Sequence, residues 1–174
     1  LPILGKQVIE ISAFHGKTIE EDLYKRDLTM NAIASDKNGN IIDPYGGLLD
    51  LKNKTISLTD KSGQGLEEDP LRILRIIRFS AIYGYKIDAD TKAMMKEKKE
   101  KLEEVAKERI YSELKKILLS NQPSKVIEDN IEIFCTIIPE LKSIMNYNQH
   151  RFNNYSILQQ LLIFFQVQDE HISL

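Results

Sequence analysis

Three arginines spaced three apart, Arg72, Arg75 and Arg78, follow an aspartate in the segment Glu67-Glu68-Asp69-Pro70-Leu71-Arg72-Ile73-Leu74-Arg75-Ile76-Ile77-Arg78-Phe79. On an α-helix, residues three apart are surface neighbours, so the guanidiniums form one slanted cationic ridge. Asp69 lies at its mouth, in the same row. A carboxylate beside a guanidinium offers an acceptor next to a donor. Cytosine and adenine each show an amino donor beside a ring-nitrogen acceptor on the Watson–Crick edge. Guanine and uracil show the reverse, a carbonyl acceptor beside an N–H donor. One Asp/Arg pair could therefore accept C and A while leaving polar groups unpaired against G and U. Arg75 and Arg78, about one and two turns along, would then be ready for a triphosphate. The same pattern also fits a solvated amphipathic helix with an N-cap and an internal ion pair.

A second cluster is Tyr24-Lys25-Arg26-Asp27-Leu28-Thr29-Met30-Asn31-Ala32. It reads either as a turn with surface charges or as a ribose or phosphate contact by Arg26, with Asp27 orienting it. A third is Asp43-Pro44-Tyr45-Gly46-Gly47-Leu48-Leu49-Asp50-Leu51. Its paired glycines lack the Gly-x-x-x-x-Gly-Lys-Ser/Thr pattern of a phosphate loop, so it reads as a bend or hinge.

The elements that must position these groups fall into two regimes. Val8 to Phe14 is β-branched and aromatic, interrupted by Glu10, and reads as a strand. Leu28 to Ala34 is apolar and precedes Asp36-Lys37-Asn38-Gly39-Asn40, a tight-turn signal, and then Ile41-Ile42. Short strands and turns are expected through this first third. From Asp69-Pro70 onward the pattern is helical: Asp is a preferred N-cap and Pro suits the first helical position. Leu71, Leu74, Ile77 and Ala81 recur at helical spacing until Tyr83-Gly84. Lys92 to Lys107 reads as a charged helical stretch, and Pro123 and Pro139 punctuate further helices. Asp88-Ala89-Asp90 falls in an expected loop.

The formal net charge of −2, from 24 basic and 26 acidic residues, excludes a surface that tracks nucleic acid over its whole extent. RNA contact must come from a local patch. The single cysteine, Cys135, sits in an apolar stretch and offers neither an internal disulfide nor a zinc set. It reads as a small buried side chain. The three histidines have no metal-ligand spacing, and no apolar run approaches the roughly 20 residues of a membrane span. With no signal-peptide pattern at the start, a cytoplasmic location and no membrane partner are expected.

Four segments in order, over roughly residues 8 to 141, resemble motifs of the class II tRNA nucleotidyltransferases, a family that includes CCA-adding enzymes and bacterial poly(A) polymerases. Lys25-Arg26-Asp27-Leu28-Thr29-Met30-Asn31-Ala32 is similar to its Arg-Arg-Asp-Phe-Thr-Ile-Asn-Ala motif. Asp43-Pro44-Tyr45-Gly46-Gly47 with Asp50-Leu51 resembles its hinge. Glu68-Asp69-Pro70-Leu71-Arg72 with Leu74-Arg75 and Arg78-Phe79 resembles its Glu-Asp-x-x-Arg motif, and Glu108-Arg109-Ile110 with Glu113-Leu114 its last neck motif. The resemblance implies an α+β fold: part of a β-rich nucleotidyltransferase head over 1–57, a helical neck over 58–141, and the start of a helical body over 142–174. It implies template-independent transfer of CMP and AMP from CTP and ATP to the 3′ end of tRNA. Asp69 and Arg72 would pair with the base, Arg26 would contact ribose or phosphates, and Arg75 and Arg78 would complete the pocket. Asp27 and Glu68 would support them, and Arg109 would be structural. Tyr147-Asn148-Gln149-His150 and Tyr155 resemble the start of the body.

The departures shape the expectation equally. The family's Gly-Gly start and its Asp-x-Asp, which binds two magnesium ions, have no match here. Those carboxylates hold the Mg2+ that activates the 3′ hydroxyl and stabilises leaving pyrophosphate. No metal ligand is assigned in this chain beyond a supporting role for Glu10, and without the motif the chain alone should not turn over. Phe14-His15-Gly16 nearly abuts Ile19-Glu20-Glu21-Asp22-Leu23, where relatives carry a longer loop. CC-only or A-only addition and poly(A) synthesis share these motifs. A rival of another class is a non-catalytic nucleotide- or RNA-binding module lacking the metal carboxylates; a helical interaction protein, with no affinity for nucleotides, is a third. The oligomeric state is not specified by any of these patterns.

Overall fold

A computed structural model describes residue 13 and residues 15–142. The expected strand over Val8–Phe14, with Glu10, lies outside the described residues apart from Ala13, which is not in a strand, and the expected body region from 143, with Tyr147 and Tyr155, lies outside them entirely. The fold class is α+β, as expected, but the first third holds more helix than its β-branched content suggests. Helix α1 (Ile19–Tyr24) is capped by Thr18, whose hydroxyl accepts from the Glu21 amide. Thr29–Asn31, within the apolar Leu28–Ala34 segment, forms a single 3-10 turn. The predicted turn is present: β1 (Ala34–Ser35) pairs antiparallel with β2 (Ile41–Ile42), and Gly39 between them has φ 85°.

After β2 the chain bends at Asp43-Pro44 into α2 (Gly47–Asn53). The Asp43 carboxylate accepts from the amides of Gly47 (2.7 Å) and Leu48 (2.9 Å). The chain's own anion therefore occupies the place a bound phosphate would need, consistent with a bend and not a cradle. Gly47 also touches the Thr29 carbonyl so closely that a Cβ would not fit.

Strand β3 (Thr55–Ile56) runs parallel to β4 (Lys86–Ile87), and Leu28 bridges Leu58. Between these strands lie α3 (Gln64–Glu68) and α4 (Arg72–Tyr83). Helix α4 starts at Arg72 and not at Asp69-Pro70. The residue before a proline is driven out of the helical region, and Asp69 has φ −138°, ψ 88°. Its side chain is consequently not an N-cap. Gly84 closes α4 with φ 67°, as its position predicts.

Helix α5 (Ala89–Lys98) begins where a loop was expected, because Asp88 caps it by accepting from the amides of Asp90 and Thr91. The expected helix over Lys92–Lys107 is interrupted. Its deeply buried apolar side chains are Met95 and Leu102, too few to hold one register. The chain passes through a 3-10 segment, Lys99–Glu104, and an extended Val105. Helices α6 (Lys107–Leu118), α7 (Pro123–Asp129, Pro123 in its first turn) and α8 (Ile131–Ile137) follow, with Pro139 beyond the last.

One core joins both regimes. Leu28, Ile56 and Leu58 pack with Ile73, Leu74, Ile76 and Ile77 of α4, with Ile117 of α6, and with Phe134 of α8. Cys135 is buried there, as expected, and burial pushes its thiol above its ordinary value. Helix α4 thus buries one side while Arg72 and Arg75 stay accessible at its edge. Replacing fully buried Ile76 with Ala is expected to cost about 2–5 kcal/mol in urea-unfolding free energy; a loss within 0.5 kcal/mol, roughly that of a surface site, would place Ile76 outside the core.

Candidate functional site

The loop after α1, the 69–71 turn and the start of α4 enclose a cavity of about 490 Å³. Arg26, Asp27, Asp69, Arg72 and Arg75 all line it, with Lys25 and Asn31. An adjoining cavity of about 540 Å³ shares Lys25, Arg26 and Arg72 and adds Glu68, Tyr24 and Asp60. Six of the seven nucleotide-site residues expected from sequence are therefore brought to one cleft. The seventh, Arg78, points elsewhere. Its Nε donates to Glu113 of α6 at 2.6 Å, and its guanidinium lies 4.3 Å from the Phe79 ring centre.

The arginine row does not act as one ridge, because each member has its own partner. Arg75 donates to Asp27 through Nε at 2.8 Å, with a second nitrogen at 2.6 Å. Asp27 also accepts from the Leu28 amide and the Asn31 side chain. Its expected role of orienting Arg26 is thus taken by Asp22, which Arg26 meets at 2.8 Å. Arg72 donates to the Lys25 carbonyl at 3.0 Å and has no carboxylate partner among the described residues. The expected Asp69–Arg72 ion pair is not formed. Asp69 instead accepts from Arg109 of α6 at 3.1 Å. Acceptor and donor stand at one cavity wall without cancelling each other.

Arg109 reaches the cleft from α6 by holding Asp69. It was expected as a neck support, and its contact with Asp69 crosses 40 positions that no local pattern links. Asp60 was missed too. It accepts from Ser62 through both amide and hydroxyl, from the Gly65 amide and from the Tyr24 hydroxyl. The run Asp60-Lys61-Ser62-Gly63 carries a readable Asx-turn signal. Asp60's neighbour Gly65 leaves room for Arg72, whose guanidinium a Cβ there would meet at 2.6 Å. Glu68 sits on the second cavity and accepts from Gln64.

Metal ligation fares differently. Among the described residues no three His, Cys, Asp or Glu side chains gather as a metal site. Asp88 is committed to capping α5, and Glu10 lies outside the described residues. The described side chains do not fit a two-magnesium centre.

Two stretches of the chain match family models, described as the poly A polymerase head domain (residues 5–57) and the probable RNA and SrmB-binding site of polymerase A (residues 84–145). The CCA-adding enzyme of Ligilactobacillus salivarius is 35% identical over 166 residues, covering 90% of this chain and 41% of that protein. This chain belongs to the CCA-adding enzyme and poly(A) polymerase family. The resemblance carried by the four motifs is borne out. A Bacillus stearothermophilus CCA-adding enzyme in complex with CTP aligns with TM-score 0.62 and 33% identity, over 64% of this chain and 28% of that one. A Thermotoga maritima CCA-adding enzyme complexed with tRNA aligns with TM-score 0.64 and 32% identity, over 70% and 31%. The chain spans about two fifths of the length of the Ligilactobacillus relative. No helix among the described residues is long and apolar enough to cross a membrane.

The electrostatics of the site generate a pH signature. Burial alone would push the Asp27 carboxyl up, but the Asn31 hydrogen bond and the Arg75 charge outweigh it and hold it below its ordinary 3.8. Burial likewise pushes Glu113 up, and Lys116 and Arg78 bring it below its ordinary 4.5. A carboxyl lowered by folding contributes stability that is complete above its unfolded value and lost as pH falls through the folded one. Unfolding free energy should therefore be insensitive to these groups above about pH 5 and fall below about pH 4. Asp27→Asn should lower stability at pH 7 and flatten the acid limb in urea midpoints taken from pH 3 to 7. An acid limb equal to that of the parent would remove Asp27 from the account.

Proposed function

We propose that the chain is the nucleotide-selecting part of an enzyme that adds CMP and AMP, from CTP and ATP, to the 3′ end of tRNA without a nucleic-acid template. The observation that carries this reading is the placement of Asp69 and Arg72 on one cavity wall, unpaired with each other. Asp69 supplies an acceptor and Arg72 a donor, the complement of the edge that cytosine and adenine share. Arg109 holds the Asp69 carboxylate, Arg26 faces ribose or phosphate, and Arg75 is aimed by Asp27. Glu68 supports the rim. Arg78 acts at one remove, tying α4 to α6 through Glu113. The names of the relatives favour CCA addition over poly(A) synthesis.

In this reading residues 1–57 belong to the head, 58–141 form the neck, and 142–174 begin the body. The ATP and CTP of the solved relatives are this chain's substrates, and tRNA is its macromolecular partner. Mg2+, held by residues other than those described, supplies charge neutralisation at the triphosphate. The cytoplasm, where tRNA matures in bacteria, is the compartment that suits the reading.

A bidentate base contact contributes about 1–3 kcal/mol of discrimination, roughly 5- to 150-fold. In the full-length protein, Asp69→Ala and Arg72→Ala should each lower kcat/KM for CTP and ATP within that range on tRNA ending before its CCA. The gap to UTP and GTP should narrow, and tRNA affinity should stay within about twofold. Incorporation of A alone in long tracts by the parent enzyme would overturn CCA addition.

A further inference from the structure

Asp60 lies in the turn between β3 and α3, lines the cavity of about 540 Å³ and is 7% exposed. Four neutral groups donate to its carboxylate. Oδ1 accepts from the Ser62 hydroxyl at 2.6 Å, the Ser62 amide at 2.8 Å and the Tyr24 hydroxyl at 3.1 Å. Oδ2 accepts from the Gly65 amide at 2.9 Å. Burial alone would push this carboxyl up, but its donors outweigh burial and hold it below its ordinary 3.8. Asp60 is therefore an anion at neutral pH, pinned at both oxygens.

A surface Asx turn needs only the bonds to Ser62. The other two reach outward, and both lead to Arg72. Tyr24 immediately precedes Lys25, whose carbonyl accepts from Arg72 at 3.0 Å. Gly65 is the residue against which the Arg72 guanidinium lies. A Cβ there would meet Arg72 Nη1 at 2.6 Å and Asp60 Oδ2 at 3.7 Å. Arg72 thus rests on two surfaces, the Lys25 carbonyl and the Gly65 backbone, and one carboxylate ties both down. A long side chain gives up considerable rotamer freedom to hold one place, so its supports must themselves be rigid.

We propose that Asp60 is the positioning residue of Arg72, fixing the Tyr24–Lys25 segment and the start of α3 so that the guanidinium stays aimed into the cleft. Asp60 touches no nucleotide and acts through Arg72 alone. The effect on base choice rests on the base-reading role of Arg72; the effect on the guanidinium does not.

The test uses the full-length protein and two readouts. One is the NMR signal of the Arg72 Nε–H, identified by its loss in Arg72→Ala. The other is the ratio of CTP to UTP affinity by calorimetry. Asp60→Asn keeps the shape but removes the charge, and whichever way its amide faces, at least one donor meets an amino group. The Arg72 signal should shift and broaden, and the CTP/UTP ratio should fall about 2- to 10-fold, the scale of one lost hydrogen bond. Tyr24→Phe, at a side chain outside the core, should act in the same direction and carries the test if Asp60→Asn does not fold by circular dichroism. In the Arg72→Ala background, Asp60→Asn should change the ratio by less than about 1.5-fold, because coupled residues are not additive. An Arg72 signal unmoved in both variants would overturn the proposal. So would an Asp60→Asn effect that persists in full without Arg72, since Asp60 would then be a structural turn residue only. A loosened Arg72 signal, with a ratio that Arg72→Ala leaves unchanged, would uphold the positioning role and overturn the base-reading role instead.

Discussion

A buried carboxylate, Asp27, is the constraint on which the rest of this structure turns. Its side chain is 6% exposed and charged, which is tolerable only because its oxygens are met by the Leu28 amide, the Asn31 side chain and the Arg75 guanidinium. The first two partners belong to the chain's first third; the third belongs to α4, 48 positions on. Satisfying one charge therefore fixes the 24–31 segment against α4, and that contact forms the wall of the cleft. The Leu28–Leu58 bridge and the shared apolar core follow the same seam.

Helix α4 answers two demands at once. Its Ile and Leu side chains fill the core, while its arginines leave the core at one edge, each into a different setting. Arg78 goes to a largely buried pair with Glu113, Arg75 to Asp27, and Arg72 to a backbone carbonyl. Only the last keeps its charge uncommitted, and it is the one beside Asp69. The row thus runs from structural at Arg78 to available at Arg72, which lines the cleft.

Much of this was legible in sequence because it is local. The Arg72-Arg75-Arg78 spacing, the Asn38-Gly39 turn, the Gly84 stop and the Pro123 start each depend on a few neighbouring residues. The cleft membership of Arg26, Asp27, Glu68, Asp69, Arg72 and Arg75 followed from motifs that co-occur in order. What failed was decided elsewhere. Asp69 reads as an N-cap until the following proline's steric demand is given its weight, and its real partner, Arg109, is 40 residues away. Asp27 looks like a neighbour of Arg26, yet backbone geometry sends it to Arg75. The α5 break reflects a stretch with two anchors in the core, a property of packing that charge periodicity conceals.

The central claim is that an Asp69–Arg72 wall reads the edge common to cytosine and adenine. Its most direct measurement is equilibrium binding of CTP, ATP, GTP and UTP to the protein by calorimetry under one set of salt and pH conditions. The account predicts that CTP and ATP bind at least about tenfold more tightly than GTP and UTP, the expected scale for one bidentate contact. Equal affinity for all four nucleotides would contradict it.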